Sequence, residues 1–182
     1  DIALTNYEKA VSLAPGNREF NIALRDFKNA HKDTTASTAA EKPKPQVNEQ
    51  AVTYDILIKL GDEAYKQQKY TDAIDYYTKA VVFIPQDKVT MLKIANIYKL
   101  LGNNAKALSF YDKILTIDEN SVDAYFNKGL VLASQKNYDE SIKCFEKVIA
   151  LSPDYPYAYY SLGMAYEQKD DSQKALEYLS LI

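Results

Sequence analysis

The chain has 182 residues, of which 47% are hydrophobic and 26% charged, the balance of a chain that can build a packed core. Its formal net charge of −3 argues against a protein held to nucleic acid by phosphate contacts. One His and one Cys are too few for a metal centre or a disulfide framework, and five scattered Gly are too few for a phosphate-cradling loop. No cofactor is expected. No run of about 18 apolar residues is present, so no membrane span is expected.

The predicted elements follow in chain order. Residues 1–17 read as the end of a helical repeat, with Ala3, Tyr7, Ala10 and Pro15 spaced as Ala73 to Pro85 are later. Residues 18–31 predict one more helix, with Phe20, Leu24 and Phe27 on a face. His31 ends that helix, where a cation is mildly favoured. Pro43 and Pro45 forbid a regular helix in the stretch that follows. The expected organisation is therefore an upstream array ending in a capping helix over 1–31, a linker over 32–50, and a second array over 51–182. A rival reading packs 1–31 onto the second array as its N-terminal cap. The first residue is Asp1 rather than Met, and both ends cut through a repeat. The chain is thus expected to be a window on a longer one.

From residue 54 a step of 34 residues governs the sequence. Gly129 and Gly163 are one step apart, and Gly61 and Gly129 two. Ala73, Ala107, Ser141 and Ala175 keep the step with small side chains. Tyr77, Tyr111, Phe145 and Leu179 keep it with large ones. Four units result: 54–87, 88–121, 122–155 and a truncated 156–182. Each predicts two helices, as Leu57, Leu60, Ala64 and Tyr65, then Ala73, Tyr76, Tyr77 and Ala80, show by their 3–4 spacing. Thr71, Asp139 and Ser172 are the expected N-caps of second helices. Pro85 and Pro153 follow second helices, and Pro156 opens the last unit.

This pattern resembles the tetratricopeptide repeat family over about residues 51–182. Leu57, Met91, Tyr125 and Tyr159 hold the large first position. Leu60-Gly61, Ile94-Ala95, Lys128-Gly129 and Leu162-Gly163 hold the Leu-Gly pair, with a departure at Lys128. The resemblance implies an all-α superhelix, or solenoid, of helix-turn-helix repeats. It also implies that the first helix of each unit lines a concave groove. Leu92, Lys93, Asn96, Phe126, Asn127, Leu130, Tyr157, Tyr160 and Met164 then become the candidate partner-binding residues. Apolar anchors beside amides suit a bound peptide, whose backbone Asn96 and Asn127 are expected to bond. One subgroup of the family clamps acidic C-termini with Lys, Asn, Asn, Lys and Arg or Lys. Here the best-matching positions hold Leu92, Asn96, Asn127, Tyr157 and Ser161, so every cation is missing and that clamp is rejected.

No catalytic constellation appears. Cys144 lies beside the packing residue Phe145 with no second His to activate it. The expected function is a non-catalytic adaptor binding a peptide or helix of a partner protein. The alternatives are a targeting segment of a larger enzyme, an RNA-binding array, and an architectural array that self-associates through its cut ends. A lone Cys and the lack of a signal sequence point to the cytoplasm.

Overall fold

A computed structural model describes Arg25 and residues 49–182 of the chain. The expected upstream array, its capping helix with His31, and almost all of the linker fall outside the described residues. The chain divides into two compact units, Asp1–Lys59 and Leu60–Ile182. All described regular structure is helical. The elements are α1 (Glu49–Lys66), α2 (Tyr70–Phe83), α3 (Lys88–Leu100), α4 (Asn104–Ile117), α5 (Val122–Ser134), α6 (Tyr138–Leu151), α7 (Pro156–Glu167) and α8 (Ser172–Leu179). No helix among the described residues is long and apolar enough to cross a membrane.

Within the second unit, α3 packs on α4, α5 on α6, and α7 on α8. Neighbouring pairs join through α2–α3, α4–α5 and α6–α7. The first helices also meet, α3 against α5 and α5 against α7, whereas α4, α6 and α8 make no comparable contacts with one another. The array therefore bends with α3, α5 and α7 on its inner side. This is an all-α repeat array, built as the sequence pattern predicts.

The 34-residue step has a direct steric cause. A Cβ added to Gly61 would lie 2.4 Å from Cε1 of Tyr77, and one added to Gly129 would lie 2.6 Å from Cε1 of Phe145. At Gly163 it would lie 2.7 Å from Cγ of Leu179. The three large residues stand sixteen positions after their glycines, one on each second helix. The small residues Ala73, Ala107, Ser141 and Ala175 are all buried on the second helices, Ser141 and Ala175 against the crossing glycines. Ser141 satisfies its hydroxyl by donating to the Gly129 carbonyl at 2.9 Å. Ile94, Ile97, Ile114, Leu162 and Val148 are also sealed from water. Burial of each such side chain contributes about 1.5–3 kcal/mol.

The turns between paired helices differ from expectation in one respect. Gln68, Gly102, Lys136 and Asp170 occupy one position of the repeat, and all four adopt a positive φ of 60–72°. The next residue is the N-cap in each case: Lys69, Asn103, Asn137 and Asp171. Thr71 and Asp139 are thus in the first turn of α2 and α6, and Ser172 is the first residue of α8. The left-handed residue turns the chain so sharply that the helix starts one or two positions before those polar residues. Asn103 and Asp171 cap with their side chains, accepting from the Lys106 and Lys174 amides. Pro85 and Pro153 do follow second helices, and Pro156 is the first residue of α7.

Candidate functional site

The helices α3, α5 and α7 carry all nine candidate residues, and these separate into two chemistries. On α3 the side chains are tied down. Lys93 is half-buried and donates to Oδ1 of Asp62 at 2.5 Å, with its ammonium 5.3 Å from the Tyr77 ring centroid. The Tyr77 hydroxyl donates to the same carboxylate oxygen at 2.5 Å. Burial works against the Asp62 charge. The bonds from Lys93 and Tyr77 and the nearby Lys93 and Lys66 charges outweigh it, so the carboxyl titrates below its ordinary value. Burial and the bond to Asp62 push the Tyr77 hydroxyl well above the usual phenol range.

One step along, Asn96 replaces Asp62 and accepts from the Tyr111 hydroxyl at 2.7 Å. Leu92 packs against the buried cluster of Met91, Ala95 and Tyr111. Asn127 is also engaged: its Oδ1 accepts from Lys99 at 2.6 Å and its Nδ2 donates to the Asp123 carbonyl at 2.9 Å. Burial lowers the pKa of Lys99. Both candidate amides thus already serve internal bonds, which the sequence did not reveal.

On α5 and α7 the chemistry is apolar. Leu130 and Met164 occupy the register positions of Asp62 and Asn96, and Phe145 and Leu179 those of Tyr77 and Tyr111. Between α5, α6 and α7 an open pocket of about 370 Å³ is lined by Leu130, Ala133, Tyr138, Tyr160, Met164 and Gln168, with Phe145 at its back. Three of the predicted residues meet there. Tyr160 is 53% exposed and Met164 38%. Tyr157, one turn before Tyr160, is 69% exposed, with its ring edge-on to Tyr155. Phe126 is half-buried, stacked obliquely on Phe145 and Tyr155, and supports the pocket wall.

Tyr138 was not among the predicted residues. It reaches the pocket from the second helix of its unit, at the first residue after a turn, and only the approach of α7 brings it there. Cys144 is buried, and burial pushes its thiol up to about 11, which keeps it protonated and inert at neutral pH. Among the described residues no cluster of His, Cys, Asp and Glu is arranged to hold a metal ion.

Comparison with known proteins agrees with this architecture. A tetratricopeptide repeat model matches residues 54–87 and 90–121, a second matches 110–143, and a TPR repeat model matches 129–170. The chain is 28% identical over 164 residues to the Hsp70-Hsp90 organizing protein of Triticum aestivum, covering 84% of this chain and 28% of that protein. It thus spans under a third of that relative's length. Among solved structures, MamA 41-end from Desulfovibrio magneticus RS-1 superposes with a TM-score of 0.67 at 23% identity, covering 70% of this chain and 72% of the other. That likeness concerns the fold alone. The first TPR of Spaghetti (RPAP3), bound to the HSP90 peptide SRMEEVD, superposes with a TM-score of 0.54 at 25% identity, covering 71% of this chain and 94% of the other. The repeat step, the glycine crossings and these matches agree: the chain belongs to the tetratricopeptide repeat family.

Proposed function

We propose that this chain is a non-catalytic protein-interaction scaffold, and that its inner face between α5 and α7 binds a segment of a partner protein. The carrying observation is the 370 Å³ pocket, open to solvent and bordered by exposed Tyr160 and Met164. Exposed aromatic and thioether side chains beside a preformed apolar pocket give a partner side chain something to bury at little ordering cost. The bound peptide in the related Spaghetti (RPAP3) structure supports a peptide ligand for this array. Array boundaries at about 51 and 182, with a separate segment before them, belong to the same reading.

The α3 face contributes differently. Lys93, Asn96 and Asn127 are held by internal bonds, so they shape the groove more than they grip a ligand. Tyr157, Tyr160, Leu130 and Met164 supply the contact surface.

A photo-crosslinking side chain placed at Tyr160, against one at the outward Lys147 of α6, tests this. Crosslinks at Tyr160 to a recurring segment of one partner are expected, with few at Lys147. In the purified pair, Tyr160→Ala should weaken binding by about 1–3 kcal/mol, as hot-spot truncations do. Equal crosslinking at both positions, or unchanged affinity, would remove this face from the function.

A further inference from the structure

We infer that the segment taken by the α5–α7 pocket is basic: a bulky apolar side chain flanked by Lys or Arg. This rests on the groove reading above and adds the chemistry of its ligand.

Each of the two helices presents a stripe of side chains at helical spacing. On α7, Tyr160, Met164 and Glu167 follow one another at helical spacing, so Glu167 stands about 4–5 Å along the axis from the pocket residue Met164. On α5, Asp123, Phe126 and Leu130 form the matching stripe, with Asp123 about 10 Å from Leu130. The pocket thus has a carboxylate beyond each end. Asp123 and Glu167 are both exposed, and neither makes a salt bridge among the described residues.

Several nearby cations are engaged by other groups. Lys128, on α5, turns to Asp112 at 2.6 Å, and Lys169 pairs with Asp139. Lys99, on α3, is held by Oδ1 of Asn127. Lys136 stays in the α5–α6 turn. Residues 122–182 hold nine acidic side chains against six lysines, whereas residues 60–121 hold eight of each. The apolar pocket therefore lies in the negative half of a locally neutral-to-negative array. The exposed rings of Tyr157 and Tyr160 suit the same partner, because an aromatic face attracts the cation of Lys or Arg. A segment ending in acidic residues meets repulsion here.

Selection of short random peptides displayed on phage against the 182-residue chain tests the inference. Enrichment of Lys or Arg beside a Leu, Met or aromatic residue is expected. A synthetic peptide of the enriched sequence should lose about two- to tenfold in affinity when its basic flanks become Glu, and more at low salt than at high salt. Glu167→Lys should reverse that preference without unfolding the array, since Glu167 is exposed. Enrichment of Asp and Glu, with binding still lost in Tyr160→Ala, would overturn the basic ligand and leave the groove standing. Failure to enrich any peptide, or binding indifferent to both Tyr160→Ala and Met164→Ala, would overturn the groove and the inference together.

Discussion

Two regions of the array use the same steric frame and opposite chemistry. In residues 60–121 the large residue that fills each crossing is a tyrosine, Tyr77 or Tyr111, whose hydroxyl reaches Asp62 or Asn96 on the facing helix. In residues 122–182 the same positions hold Phe145 and Leu179, and the facing positions hold Leu130 and Met164. The polar couple closes the first region by bonding its inner residues to each other. The second has no such hydrogen-bonded couple, and a pocket lies where α5, α6 and α7 meet. The proposed binding surface lies in the region without the polar couple.

The sharpest way to break the shared frame is to crowd a crossing. Gly129→Leu would drive a side chain into the Phe145 ring and should cost about 3 kcal/mol, read by thermal or urea melts. A melt identical to that of the parent would reject the close-packing role of Gly129. Exchanging the two chemistries comes next. Phe145→Tyr should cost about 1–3 kcal/mol by setting a hydroxyl against Leu130, where no acceptor waits. Tyr111→Phe should cost about 1 kcal/mol by leaving Asn96 without its donor. The pair Phe145→Tyr with Leu130→Asn should recover stability relative to Phe145→Tyr alone, and a strictly additive cycle would refute the coupling.

The ionised couple of the first region also predicts a pH effect. The Asp62 carboxyl titrates below its ordinary value of 3.8. Its contribution is therefore full at neutral pH and is lost as pH falls below about 3.8 through the lowered native value. Asp62→Asn should flatten the acid limb of the stability curve, read by urea melts across acid pH. A smaller effect sharpens the comparison of turns. Lys136→Gly should stabilise the array by about 0.5–1 kcal/mol by relieving its left-handed strain, and Gly102→Ala should cost a similar amount. Nothing crowds a Cβ at Gly102, so backbone strain is the whole effect there.

Much of the fold was legible because a repeat states the same constraint several times. Gly61, Gly129 and Gly163, with Tyr77, Phe145 and Leu179 sixteen residues on, mark a repeated helix crossing in the sequence itself. The N-caps were less legible. Thr71 and Asp139 have the right side chains, but helix starts are set by the left-handed residues before them, and Gln68 or Lys136 carry no sequence mark of that conformation. At the candidate site, the family resemblance assigned Leu130, Tyr160 and Met164 to the groove. It was silent on the partners of Asn96 and Asn127, because Tyr111 and Lys99 come from other helices.

The sequence by itself determined the all-α repeat, its step and its crossings. These depend on local periodicity and on side-chain size, and both are written along the chain. The tertiary structure alone decided which inward residues are free. Lys93 is spent on Asp62 and Asn127 on Lys99, while Tyr157, Tyr160 and Met164 stay open to solvent. Freedom to bind depends on contacts between helices about thirty residues apart, and a side chain's own position in a repeat does not record who stands opposite it.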